Sequence, residues 1–138
     1  MHARNWKLGA VMAVAGALAG CGGPLKYTVH GSPKAPEIDA VIVAQVNKDS
    51  DFTTLKVNIE HLAPPDRLGS GSTFVVWTKG DKPKWHRVGA LKYDDGARKG
   101  IIEGASVPVT AFDLQITVEK EAAAEAPSSD VVLAQHVN

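Results

Sequence analysis

The stretch Phe112-Asp113-Leu114-Gln115-Ile116-Thr117-Val118-Glu119 (FDLQITVE) sets a large apolar side chain at every second position and a polar one between. A period of two puts Phe112, Leu114, Ile116 and Val118 on one face of an extended chain and the polar residues on the other. Such a segment is a half-buried strand of an antiparallel sheet. Thr54 to Leu62 repeats the pattern, with Leu55, Val57 and Ile59 on one face and Lys56, Asn58 and Glu60 on the other.

Working outward, strands and turns alternate along the rest of the chain. Glu37 to Val46 (EIDAVIVAQV) is apolar and β-branched enough for a largely buried strand. Asn47 to Asp51 is a turn, because Asn, Asp and Ser side chains bond to nearby backbone. Ala63 to Ser72 (APPDRLGSGS) is a loop, and Pro64-Pro65 stops the ladder. Ser72 to Lys79, Trp85 to Tyr93, a short Lys99 to Glu103 and Val131 to Val137 complete the predicted strands, the last pairing with Phe112 to Glu119. Gly80 to Pro83 and Asp94-Asp95-Gly96 read as turns between them. Glu121 to Ser129 (EAAAEAPSS) is small and polar, a helical turn or a loop. No segment of the mature chain holds a 3.6-residue period. Seven to eight short strands separated by turn signals predict an all-β antiparallel sandwich over residues 37–138.

The N-terminus reads as an address. Met1 to Lys7 carries Arg4 and Lys7 and no acid, and Leu8 to Ala19 (LGAVMAVAGALA) is apolar or small throughout. Twelve such residues fall short of the about 20 needed to cross a bilayer core, so residues 1–20 read as a secretory signal. Leu18-Ala19-Gly20-Cys21 follows, and its form resembles the lipobox of bacterial lipoproteins. That resemblance implies acylation of Cys21, which becomes the new N-terminus. Several acyl chains are needed for firm anchoring, at about 0.8 kcal/mol per buried CH₂. Gly22, in place of an Asp, leans toward the outer membrane facing the periplasm. Gly22 to Pro36, Gly/Pro-bearing and with one short strand at Leu25 to His30, is expected as part of a flexible lipidated tether over residues 21–36.

Composition limits what the domain can do. Removal of residues 1–20 leaves 118 residues, with thirteen basic against fifteen acidic side chains, a net charge near −2. That balance argues against nucleic acid. Cys21 is the only cysteine, so the sandwich must be stable without an internal disulfide. The order Val75-Val76-Trp77, Val88 to Leu91, Phe112 to Glu119 and Pro127 to Leu133 resembles the extracytoplasmic C-terminal domain of anti-sigma-K-type factors. The resemblance covers about residues 55–133 and implies an Ig-like sandwich outside the cytoplasm. The helical domain and membrane helix that precede the sandwich in those factors have no counterpart here, so sigma-factor binding does not carry over.

The chemical candidates are sparse. His30, His61, His86 and His136 lack the close spacing of a metal pair, and no metal or other cofactor is implied. Asp94-Asp95-Gly96 lacks the further oxygen ligands of a calcium loop and reads as a hairpin turn. Ser70-Gly71-Ser72 lacks the strand–turn–helix setting of a nucleophile elbow. An enzyme is not expected. Trp77 is read as core, in the place where Ig domains often hold a disulfide, and Trp85 as a surface aromatic. Lys79 to Lys99 holds seven basic residues against three acids. In the plain reading it is a solvated hairpin. In the sharper one Lys79, Lys82, Lys84 and Arg87 contact an anionic partner: lipid headgroups, a cell-wall polymer or an acidic face of an envelope protein. The expected function is that of a membrane-anchored envelope lipoprotein, a non-enzymatic binding or structural module. An accessory role in extracytoplasmic sensing or anti-sigma-type signalling is the alternative.

Overall fold

The computed structural model describes residues 23–138; the signal segment and Cys21 lie outside the described residues. Nine strands form two antiparallel sheets. They are β1 (Leu25–His30), β2 (Asp39–Asn47), β3 (Phe52–Glu60), β4 (Thr73–Lys79), β5 (His86–Ala90), β6 (Lys92–Asp94), β7 (Lys99–Val107), β8 (Phe112–Glu119) and β9 (Val131–Val137). One four-residue helical turn, α1 (Pro65–Leu68), interrupts the β3–β4 loop. Pro65 opens it, where a missing N–H costs nothing.

The first sheet has the order β1-β2-β3-β7-β6 and the second β5-β4-β8-β9. Apart from β1, this is the A-B-E-D and C′-C-F-G arrangement of an Ig-like sandwich. The predicted all-β, Ig-like architecture is therefore the observed one. Alternating residues of both sheets fill the interior. Ile42, Leu55, Val57 and Ile59 come from the first sheet, and Phe74, Val76, Leu114, Ile116 and Leu133 from the second. β3 and β8, the strands that an Ig B–F disulfide joins, both give aliphatic side chains to this interior and carry no cysteine.

Two expectations are corrected. Residues 25–36 are not tether. Leu25 to His30 pairs along its whole length with Asp39 to Ala44, and Ala35 and Ile38 are fully buried. The Ser32 hydroxyl donates to the Val131 carbonyl at 2.7 Å and its backbone N–H to the Val132 carbonyl at 2.9 Å, closing β1 against β9. The sandwich thus begins at Leu25 rather than at residue 37. Trp85 to Tyr93 is also not one strand. It breaks at buried Leu91, whose N–H donates to the Phe74 carbonyl. β5 stays with β4, while β6 crosses to the first sheet.

Local backbone chemistry explains two details. β7 runs to Val107, past the predicted end at Glu103, because a bulge opposite Leu55–Val57 realigns it. Gly104 takes φ +71° there, which an L side chain resists. In the β6–β7 turn, Arg98 and not Gly96 has positive φ (54°), and the Asp94 carboxylate accepts the Ala97 N–H at 3.1 Å.

The register gives the sandwich two ends. The lower end holds the start of β1, the β2–β3 turn, the β4–β5 turn and the β7–β8 connection. The upper end holds the β1–β2, β3–β4, β6–β7 and β8–β9 connections.

Candidate functional site

The outward face of the second sheet carries most of the polar chemistry. On β4, Phe74, Val76 and Thr78 point between the sheets, so Val75 and Trp77 point outward. Both are nonetheless fully buried. The expectation that Trp77 is buried holds, but its place is not the inter-sheet core. The Trp77 indole N–H donates to the Thr117 hydroxyl at 2.8 Å. Thr117 in turn donates to the Glu119 carboxylate at 2.5 Å, and Glu119 also accepts the Ser128 backbone N–H at 2.7 Å. The Ser128 hydroxyl donates to the Val118 carbonyl.

This relay holds the β8–β9 connection across the sheet. Glu119 is 6% exposed, so its carboxylate must be satisfied by neighbours, and Thr117 and Ser128 do that. The Ala/Glu stretch after Glu119 is therefore a cover over Trp77. Arg87, opposite Trp77 on β5, clamps it from the other side by donating to the Ala124 carbonyl at 2.5 Å. Ser70-Gly71-Ser72 serves the same join. A Cβ on Gly71 would stand 2.3 Å from the Glu119 carbonyl oxygen, and the Ser70 N–H is held by Asp130.

The four basic residues singled out from the sequence are used in different ways. Arg87 is spent on the cover. Lys79 is half-buried, its ammonium 5.0 Å from the centre of the Trp85 ring. Trp85 is half-buried as well, folded back over a shallow groove beside Asp113, Gln115, Ala134 and His136. Asp81, Lys82, Pro83 and Lys84 form the exposed tip of the turn. Among the described residues, no carboxylate lies within ion-pair distance of Lys82 or Lys84. The rest of the basic segment sits at the other end, where Arg98 faces Asp95 and Lys99 faces Glu60, both at 3.9 Å.

Three histidines, His30, His61 and His136, lie against carboxylates on the surface. His61 Nδ1 is 2.9 Å and His30 Nδ1 3.6 Å from the two oxygens of Asp39, and His136 Nδ1 is 2.8 Å from Asp113. No group of three or more metal-ligating side chains converges among the described residues. Tyr93 is the one group among the described residues with a clearly displaced titration. Burial, then the charge of Asp95, pushes its phenol above the ordinary 10.0, and its hydroxyl donates to the Leu62 carbonyl at 2.6 Å. Among the described residues no helix is long and apolar enough to cross a membrane.

Sequence reasoning missed the Thr117–Glu119–Ser128 relay. Its signal is Glu119, a carboxylate that ends a strand shortly ahead of the alanine run Ala122 to Ala124. No family model, curated protein or solved structure matches the chain.

Proposed function

We propose that the protein is a bacterial envelope lipoprotein, acylated at Cys21, whose Ig-like sandwich acts at the membrane surface as a non-enzymatic binding or structural module. The observation that carries the reading is the sequence Leu18-Ala19-Gly20-Cys21 set behind a charged, then apolar leader and four residues ahead of the first strand. A thiol at that place is suited to a thioether with a diacylglycerol. With Gly22 next in line, the outer membrane facing the periplasm is the favoured destination.

The deployment of polar side chains supports the non-enzymatic part. Thr117, Glu119 and Ser128 hold a loop, and the surface histidines bond to Asp39 and Asp113. The test is fractionation of the full chain against a Cys21→Ser variant, with mass spectrometry of the mature N-terminus. The wild type should sediment with membranes and carry acyl chains, and the variant should not. An unmodified terminus, or unchanged sedimentation of the variant, would overturn the reading.

A further inference from the structure

We propose that the lower end of the sandwich docks directly on anionic lipid headgroups, with Lys82 and Lys84 at the tip of the β4–β5 turn as its principal contacts. The proposal deepens the lipoprotein reading and rests on it for the position of the anchor. Two independent features of the structure converge on this end.

The first is reach. Only four residue steps separate Cys21 from Leu25, and a fully extended chain covers about 14 Å in that length. The nine-residue strands span about 30 Å from end to end. β1 starts at the lower end, beside the β2–β3 and β4–β5 turns. An acylated Cys21 therefore brings these turns close to the headgroups and leaves the upper end a domain length away.

The second is charge. Residues can be assigned to the two halves by strand register. With Arg87 left out because it bonds to the β8–β9 loop, the lower half carries five cations (Lys26, Lys48, Lys79, Lys82, Lys84) against four carboxylates (Asp49, Asp51, Asp81, Asp113). With Lys120, Glu121 and Glu125 of that loop also left out, the upper half carries five cations against eight carboxylates, and Lys56 and Glu103 pair between the halves. The molecule is thus polarised along its long axis, positive where the anchor enters and negative at the far end. An anionic surface attracts the first and repels the second, within a screening length of about 8 Å. Of the lower-end cations, Lys82 and Lys84 are the exposed pair at a turn tip. Trp85, packed back on the sheet under the Lys79 ammonium, fixes the direction in which that tip points.

The test uses the chain from residue 21 with Cys21→Ser, which retains every strand and the whole core. Flotation is measured with vesicles of phosphatidylcholine alone and of phosphatidylcholine mixed with phosphatidylglycerol. The protein should partition onto the anionic vesicles only, and less so as salt rises. Each lysine near such a surface is worth about five-fold in partitioning, so Lys82→Gln with Lys84→Gln should weaken binding by about 25-fold. Arg98→Gln with Lys99→Gln, at the upper end, should leave it unchanged. Equal binding to neutral vesicles, equal loss in both double variants, or stronger retention by insoluble cell-wall polymer than by anionic vesicles would overturn the proposal. Failure of the anchor reading shows in the mass of the cellular N-terminus, a separate measurement from vesicle binding.

Discussion

Strand β4 is buried on both sides, by two different means. Toward the first sheet, Phe74 and Val76 join an interior closed by side chains from seven strands. Away from it, Val75 and Trp77 are closed off by a loop of small residues that contributes almost no apolar bulk of its own. The inner side is held by apolar area, which is non-directional and shared among many neighbours. The outer side is held by a short chain of hydrogen bonds ending on one carboxylate. A directional lock of this kind concentrates its stability in few groups, so it should fail locally where the interior fails globally.

The largest effect tests the interior. Ile116→Ala removes a fully buried side chain on the inward face of β8 and should cost about 2–5 kcal/mol. Chemical denaturation should show one transition moved to lower denaturant. If the loss were under 1 kcal/mol, the interior would not be the principal source of stability.

The next effect tests the cover. Glu119→Ala leaves the Ser128 N–H and the Thr117 hydroxyl without their acceptor, at about 1–3 kcal/mol. The distinguishing readout is local. Hydrogen exchange should quicken across Lys120 to Asp130 and the Trp77 emission should shift to the red, while amides of β3 and β7 keep their protection. A uniform loss of protection would erase the distinction between the two sides of β4.

How much of this was legible in the sequence follows from the same contrast. β3, buried on one side, and β8, buried on one side until Thr117, announce their inward faces by alternation, and the sequence reading places both strands within two residues of their ends. β4 reads Thr73-Phe74-Val75-Val76-Trp77, apolar on both sides, and a continuous apolar run carries no record of which side meets the other sheet. Trp77 was accordingly placed as core. β1 has a visible alternation, but of its apolar residues Val29 alone is buried, and Gly31 to Pro36 resembles a linker. Its membership of the sheet depends on pairing with residues that follow it, which local pattern does not encode. The crossing at Leu91 is hidden for a similar reason, since the change of sheet is set by pairing with distant β4 and β7. The charge polarity along the axis is a property of topology, and the neutral composition of the chain conceals it.

A smaller effect comes from the β6–β7 turn. Arg98 holds a left-handed backbone conformation that costs an L side chain about 1–2 kcal/mol. Its ion pair to Asp95 at 3.9 Å is exposed and contributes little. Arg98→Gly should therefore raise stability by up to about 1 kcal/mol, read as a higher melting temperature. The Leu62 N–H, which donates to the Arg98 carbonyl, keeps its partner in the variant. A lower melting temperature would mean that the guanidinium does more than the ion pair shows.

The smallest effect is confined to alkaline solution and separates the two sides of β4 once more. Tyr93 meets Phe74 edge-on, with ring centres 5.4 Å apart, and so ties β6 to the inner side of β4. Its folded-state pKa lies above 10.0 because burial and the Asp95 charge disfavour the phenolate. A group whose pKa is raised by folding adds stability that is fully present below its unfolded value and disappears as pH climbs through the folded value. Wild-type stability should thus hold up to about pH 10 and fall above it. Tyr93→Phe gives up the bond to the Leu62 carbonyl, at about 1 kcal/mol near neutrality. Without an ionisable phenol it should then lose less than the wild type between pH 10 and pH 12, so the two stability curves should converge. Parallel curves over that range would show that Tyr93 ionises as freely in the folded protein as in water, and the inner side of β4 would be wetter than its packing indicates.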